Sequence, residues 1–232
     1  FGQPVLDLAC GTGRVLVPLL KEGVQAHGCD LSADMLRLCR ARAEREGLAA
    51  KLYEQPMHRL DLPQRYQTIL ICSSFGLAGS HALDQDTLRR CHTHLEDGGA
   101  LVLNIEAEYA FPGAWAHWTA AGRHSLPEPW PEEDRRRVTA DGIEYRTAMR
   151  TVALDPLAQS YEREMRLEKW RDGRLLARET RSLRGQMYFK NELMLMLEKA
   201  GFGQVTVLGD YSDQPATTDH AELLFVAERS HR

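Results

Sequence analysis

The chain has 232 residues, 43% of them hydrophobic and 27% charged, which is enough apolar material for a sizeable core and argues against wholesale disorder. Its formal net charge is -4 and its pI is near 6.2, so no broad basic field exists to draw in a nucleic acid or an anionic membrane surface. No apolar run reaches the length of a membrane span, and no charged-apolar-small leader opens the chain. The chain opens at Phe1, almost directly before an apolar strand and without an initiator methionine, so an upstream segment is expected outside this numbering. Five cysteines (Cys10, Cys29, Cys39, Cys72 and Cys91) are scattered without a Cys-x-x-Cys pair, the pattern of reduced thiols in a cytoplasmic protein.

Taken in chain order, the first hundred residues alternate short apolar runs with helical patterns. Pro4 to Ala9 reads as a buried strand, Gly11-Thr12-Gly13 as a tight turn, and Val15 to Glu22 as a helix closed by Gly23. Val24 to Cys29 is a second strand, followed by Ser32 as an N-cap and a helix to about Gly47. A third strand is expected near Lys51 to Gln55, and a fourth, Thr68 to Cys72, is apolar enough to be buried on both faces. A helix from Asp84 to Leu95 ends in Asp97-Gly98-Gly99, and Ala100 to Ile105 is a fifth strand. Such alternation implies a parallel sheet with right-handed crossovers.

The pattern then changes. Tyr109 to Trp130 is rich in aromatics, Pro and Gly, and segments near 135–140, 143–154, 159–170 and 174–184 alternate like half-exposed strands. Asp141-Gly142 and Asp172-Gly173 are hairpin signals, and Asp155-Pro156 marks the remaining turn, so an antiparallel meander is inserted here. The α/β pattern returns with a helix from Asn191 to Ala200, closed by Gly201. Strands Val205 to Leu208 and Glu222 to Glu228 follow, too close for a helical crossover, so the last is antiparallel. The expected architecture is an α/β, Rossmann-like, seven-stranded, mostly parallel sheet. A core of 1–105 and 186–232 carries a β-rich insert at 106–185, serving as a lid or a dimer contact.

The chemistry concentrates in Val5-Leu6-Asp7-Leu8-Ala9-Cys10-Gly11-Thr12-Gly13-Arg14. A glycine-rich turn between strand and helix lets a ligand approach the backbone, and Asp30 closes the next strand where a carboxylate can take both hydroxyls of a ribose. A dinucleotide site wants a third glycine, where this chain has Leu16, and the acid Asp7 sits poorly beside a diphosphate but suits an ammonium. With Asp7, Ala9, Gly11 and Gly13 in place, the sequence resembles the class I S-adenosylmethionine (SAM)-dependent methyltransferases. Asp30-Leu31-Ser32 is similar to their second motif, Leu95 to Gly99 to the helix ending before their fifth strand, and Tyr188-Phe189 through Phe202 to a later landmark. The nearest pattern is the small-molecule group with glycine N-methyltransferase and the amino-sugar N-methyltransferases.

The resemblance implies SAM as cofactor, with Asp7, Ala9, Cys10, Gly11 and Gly13 around its methionyl group, Asp30 on the ribose and Leu31 on one adenine face. Pro56 and Met57 stand where the family often has an acid that accepts the adenine amino group, leaving the Met57 backbone for that contact. Ser73 and Ser74 are expected near the sulfonium. Cys72 lacks the Pro-Cys or Thr-Cys setting of a cytosine-methylating thiol, and Ile71 precedes it.

Glu106, Tyr109, Trp115 and Trp118 follow the fifth strand and are candidates to bound the acceptor, with Asn104 at the same edge and core packing of the aromatics as the competing reading. His92-x-His94 reads as a solvated helix end rather than a metal site, and no metal is implied. The expected reaction is methylation of a small-molecule nitrogen or oxygen. Methylation of RNA or protein, or a non-catalytic SAM-binding module, stand as alternatives. A homodimer through the meander is a further expectation, because Tyr145, Thr147, Met149, Met165 and Leu167 give it one apolar-leaning face.

Overall fold

The computed structural model describes residues 2–107, 110, 115–132 and 135–230. The chain runs β1 (Val5–Leu8), α1 (Leu16–Lys21), β2 (Ala26–Asp30), α2 (Ala33–Arg45), β3 (Lys51–Glu54), β4 (Tyr66–Ile71), α3 (His81–His94) and β5 (Leu95–Glu106). Next come α4 (Ala120–Arg123), β6 (Arg135–Val138), β7 (Glu144–Asp155), β8 (Ser160–Arg171), β9 (Arg174–Gln186), α5 (Lys190–Ala200), β10 (Val205–Gly209) and β11 (Glu222–Glu228). Two compact units result, Phe1–Phe111 with Tyr188–Arg232, and Pro112–Met187.

The first unit is a seven-stranded sheet in the order β10-β11-β5-β4-β1-β2-β3. Only β11 runs against its neighbours, pairing antiparallel with both β5 and β10. This is the mostly parallel, Rossmann-like sheet that the alternation of apolar runs and helices predicts. Leu6, Leu8, Ile69, Ile71, Leu101 and Leu103, all essentially inaccessible, form its core with Leu193, Leu197 and Phe225. The topology aims the carboxyl ends of β1, β2, β4, β5 and β10, and the amino end of β11, at one edge of the sheet.

Local chemistry sets the boundaries. Ser32 caps α2 by accepting from the Met35 N–H at 3.3 Å, and Ser80 caps α3 by accepting from the Leu83 N–H at 3.3 Å. The second cap starts α3 three residues before the predicted Asp84, whose carboxylate instead accepts the Tyr188 hydroxyl at 2.6 Å and ties α3 to the segment before α5. The predicted break at Asp97-Gly98-Gly99 is not a separate turn. Helix α3 passes straight into β5 at Leu95, and the glycines form a bulge between the pairs Tyr66–Leu95 and Thr68–Ala100. The Arg229 guanidinium donates to the carbonyls of His92 (3.1 Å) and Leu95 (2.6 Å), placing a cation on the end of α3.

The expectation of a solvated His92-x-His94 is overturned. His94 is buried: its Nε2 accepts from the Leu62 N–H at 3.1 Å, so its Nδ1 carries the proton and donates to the Arg90 carbonyl at 2.8 Å. His92 packs its ring edge-on against Phe202. Both imidazoles tie the last turn of α3 to segments elsewhere in the chain.

The second unit is the predicted meander, ordered β6-β7-β8-β9 and antiparallel throughout. Asp172 and Gly173 both hold positive φ (49° and 74°), the geometry of a tight two-residue hairpin. Asp155 makes the middle turn by accepting the N–H groups of Leu157 and Ala158 at 2.9 and 3.0 Å. The guanidinium groups of Arg150 and Arg166 lie over the Trp130 ring, 4.6 and 4.5 Å from its centre, so this tryptophan serves the meander itself.

Candidate functional site

The site is built where β1 gives way to α1. The Cys10 N–H extends the β1–β2 pairing by donating to the Cys29 carbonyl at 3.0 Å, and Ala9 then turns into left-handed backbone at φ 61°. Gly11 and Gly13 follow at φ 52° and 78°. They are glycines for different reasons. A methyl group on Gly13 would sit 2.6 Å from the Cys39 sulfur, so this position allows the loop to press on α2, whereas one on Gly11 would meet nothing within 4 Å. Gly11 therefore faces open space, a cradle that any side chain would begin to fill.

Asp30, at the end of β2, borders that space. One carboxylate oxygen accepts the Gly11 N–H at 2.8 Å and the other accepts the Ser32 N–H at 2.9 Å. Two backbone donors thus fix the carboxylate's plane and leave each oxygen a lone pair for a ligand hydroxyl. Leu31, next in sequence, is 69% exposed, an apolar side chain offered to a flat ring. Across β2 and β3, the Gln55 N–H donates to the Asp30 carbonyl at 3.0 Å, which brings the Pro56-Met57 turn beside this carboxylate. The Gln55 side chain closes that turn by bonding both backbone groups of Asp61, at 2.8 and 3.0 Å.

Asp7 lies beneath the loop, 2% exposed, and accepts the Leu16 N–H at 3.0 Å, satisfying an orphan donor of α1. Burial pushes its carboxyl up to about 7, with the Leu16 bond and the Arg14 charge opposing. A carboxyl poised there gains most from a cationic neighbour. Cys10 and Cys29 are buried, and burial pushes the Cys29 thiol up to about 12, so it is no nucleophile.

Past β4, Ser73 adopts φ 55° and donates its N–H to the Asn104 Oδ1 at 2.7 Å. Ser74 turns its hydroxyl back onto the Cys72 carbonyl at 3.2 Å. The Cys72 sulfur accepts from Arg14 at 3.6 Å, linking the glycine turn to the end of β4. Asn104 is buried and spent on neighbouring groups, so the expectation that it orients an acceptor directly gives way to a bracing role. Glu106 ends β5 at the exposed edge. Tyr109 lies outside the described residues. Trp115 and Trp118 belong to the second unit, where their rings meet at 5.3 Å.

Two residues at this edge escaped the sequence reading. Tyr211, in the loop after β10, holds left-handed backbone at φ 56°, and desolvation followed by the nearby Cys72 and Glu222 charges pushes its phenol up. Glu222 opens β11 and accepts the Asn104 Nδ2 at 2.8 Å. The signal was available in the antiparallel last strand, whose first residue must share the edge with the other strands' carboxyl ends.

Residues 5–99 match the family model of a methyltransferase domain. Over that stretch, which holds the glycine turn and Asp30, the chain carries the sequence of a methyltransferase domain. A putative methyltransferase of Geobacillus is 30% identical over 106 residues, a stretch spanning 45% of this chain and 43% of that relative, so under half of the relative's length is matched. In solved structures the fold recurs in a SAM-dependent methyltransferase from Clostridium acetobutylicum, with 18% identity, a TM-score of 0.73 and coverage of 97% of this chain and 83% of that one. It recurs also in a sugar N-methyltransferase from Streptoalloteichus, with 20% identity, a TM-score of 0.72 and coverage of 99% and 81%.

The cofactor of this methyltransferase domain is SAM, and the residues present fit it. The open face of Gly11 would admit the methionyl backbone, Asp7 would answer its ammonium, the anchored Asp30 would take a ribose diol, and exposed Leu31 would face a purine. Among the described residues no cluster of His, Cys, Asp and Glu has the form of a metal site, and no helix is long and apolar enough to cross a membrane.

Proposed function

We propose that this chain is an enzyme that methylates a nitrogen or oxygen of a small molecule with SAM as donor. The observation that carries the reading is the Asp30 carboxylate, fixed by the Gly11 and Ser32 N–H groups beside the open face of Gly11. SAM supplies an activated methyl whose leaving group is a neutral thioether, so the protein's own task is alignment and exclusion of water. Asp30 and the glycine turn hold the donor, while Asp7 answers its ammonium from below. Ser73, held in left-handed backbone, and Cys72 follow the end of β4, which supports a place for them beside the transferred methyl.

The acidic balance of the chain supports a small acceptor over a nucleic acid, and the sugar N-methyltransferase with the same fold supports a polar one. The aromatic residues that follow β5 in the sequence, Trp115 and Trp118 among them, suit an apolar or cationic part of that acceptor. Five free cysteines support a reducing, cytoplasmic setting.

The test has two arms. Calorimetric titration with SAM and S-adenosylhomocysteine (SAH) checks the donor site. Turnover is then assayed on a panel of amino sugars, amino acids and phenols, with RNA and a protein lysate as controls. Methylation of only the macromolecules would overturn the small-molecule reading, and SAH binding without any turnover would leave a non-catalytic binding module.

A further inference from the structure

The strands of the meander divide their charges between two faces. By register, Glu144, Glu162, Glu164 and Glu168 share one face with the arginines that answer them. Every one of these carboxylates is paired. Glu144 takes Arg136 and Arg146 at 2.8 and 2.6 Å, and Glu164 takes Arg150 at 2.7 Å. Glu168 takes Arg166 and Arg178 at 3.4 and 2.8 Å, and Glu162 takes Arg184 at 3.1 Å. The other face holds cations without such partners. Arg135 stands opposite Thr147, Arg137 opposite Tyr145, and Tyr145 opposite Lys169. Among the described strand residues the one carboxylate on this face is Glu179, already taken by Arg181 at 3.2 Å.

An open cavity of about 350 Å³ lies here, lined by Arg135, Arg136, Arg137, Thr139, Tyr145 and Thr147. The Thr139 hydroxyl is spent on the Asp141 carboxylate, which also lies 3.9 Å from Arg171. The side chains of Arg135, Arg137, Lys169, Tyr145 and Thr147 make no hydrogen bond or ion pair among the described residues. Arg135 and Arg137 are two residues apart on one strand face, about 7 Å between Cα atoms, so their like charges repel. An anion between them removes that repulsion. Each guanidinium presents a fork for two oxygens, and each unspent hydroxyl adds a donor. A carboxylate would bring one charge and two oxygens. A phosphate ester brings about two charges and three terminal oxygens, the better match to two arginines, a lysine and two hydroxyls. The chain's net charge is -4, so these cations form a local patch, which fits a small anion better than a nucleic acid.

We propose that this cavity is an oxyanion site for a phosphate dianion, free or carried on a small molecule, held by Arg135 and Arg137 with the Tyr145 and Thr147 hydroxyls as further donors. Lys169, next to Tyr145 in register, adds a third positive charge. The arginine run at 135–137 serves two purposes, because alternate residues of a strand point to opposite faces. Arg136 closes an ion pair with Glu144, while Arg135 and Arg137 receive the anion. The site stands apart from the methyltransferase reading, since none of its residues belongs to the glycine turn or to the strand ends around it. The anion meets side chains here, where the donor site presents backbone.

Calorimetry on the full chain, in chloride buffer of constant ionic strength, tests this with inorganic phosphate, pyrophosphate and glycerol phosphate as probes. At least one should bind at a single saturable site with a dissociation constant below about 1 mM. Arg135→Gln combined with Arg137→Gln should weaken that binding about tenfold or more. Arg184→Gln, which removes a positive charge from the opposite face, should leave it within about twofold. Tighter binding of glycerol phosphate than of inorganic phosphate would identify a phosphorylated small molecule as the ligand, and the reverse order the free anion; either order supports the site. No saturable binding of any probe up to about 10 mM overturns the proposal, as does an equal loss in Arg184→Gln. Should the double variant fail to fold, Tyr145→Phe is read instead: affinity lowered about threefold or more supports the proposal, and unchanged affinity overturns it.

Discussion

In the sheet core, the non-glycine residues held in left-handed backbone, among those described, are Ala9, Ser73, Asp210 and Tyr211, all at the edge where the parallel strands end. In the meander the corresponding residues, among those described, are Gln159 and Asp172, both in turns. Polar side chains follow the same division. Around the glycine turn, Asp7, Asp30 and Asn104 are spent on backbone N–H groups and so hold loops in shapes they would not keep alone. On the meander, Glu168, 4% exposed, takes Trp170 Nε1 and Arg178 at 2.8 Å each, and Arg146 lies 4.4 Å over the Trp170 ring. There, away from the turns, side chains mostly hold other side chains along an antiparallel ladder with two shifts of register. The first unit is organised to present backbone to a ligand, the second to stand as a sheet.

The largest expected break in this comparison is at Asp30. Asp30→Ala removes two ligand contacts and two loop contacts together, and SAH affinity should fall about 30- to 1000-fold, or roughly 2–4 kcal/mol. Calorimetry reads the affinity, and circular dichroism confirms that the variant is folded. Undiminished binding in a folded variant would remove the ribose role.

Much of this was legible beforehand, and the physical reason differs by element. The glycine turn, Asp30 and the meander's Asp-Gly turns are local: each is dictated by the conformations that a few neighbouring residues allow. The β5 bulge was misread because Arg229, 130 residues beyond Gly99 by number, supplies the cation that ends α3 and pairs with the bulge on both sides. His94 was misread because its partner Leu62 N–H comes from another loop. Glu222 and Tyr211 were missed because their relevance depends on strand order, which periodicity does not reveal.

The second prediction concerns the meander. Glu168→Ala removes charge-assisted bonds to Trp170 and Arg178 and should cost about 1.5–3 kcal/mol of stability, with SAH affinity unchanged in the folded fraction. Chemical denaturation and calorimetry on one sample separate these readouts. A large loss of SAH affinity would mean that the two units share more of the work than their side-chain organisation indicates.

Asp7 gives a pH-dependent break. Its folded pKa, raised by burial to about 7, exceeds the ordinary 3.8, so between these values the folded chain keeps a proton that the unfolded chain releases. The contribution to stability is full below about pH 4 and is lost as pH rises through 7, at no more than about 1.4 kcal/mol per pH unit. The melting temperature of wild type minus that of Asp7→Asn should therefore fall from pH 5 to 7.5 and flatten above. SAH, whose ammonium favours the ionised carboxyl, should release a proton on binding below pH 7. A flat difference would show that Asp7 is already ionised in the free protein.

The smallest effect on stability is expected on the open face of the meander. Met149, Met165 and Leu167 share one face with Tyr145 and Thr147 by strand register, and the first three are 46%, 39% and 41% exposed. Arg135, Arg137 and Arg181 border these side chains in register, and we propose that a second copy of the chain covers the apolar centre of this face. Because these side chains are exposed in the single chain, Met165→Lys should change the monomer's stability by no more than about 0.5 kcal/mol. In a symmetric pair, however, the same lysine meets the partner's face twice, and burying both charges would cost far more than the lost methionine contacts. Multi-angle light scattering should show the wild type at twice the chain mass and Met165→Lys at the chain mass, with SAH affinity preserved. A wild type that is monomeric at every concentration would leave this face uncovered by its own kind.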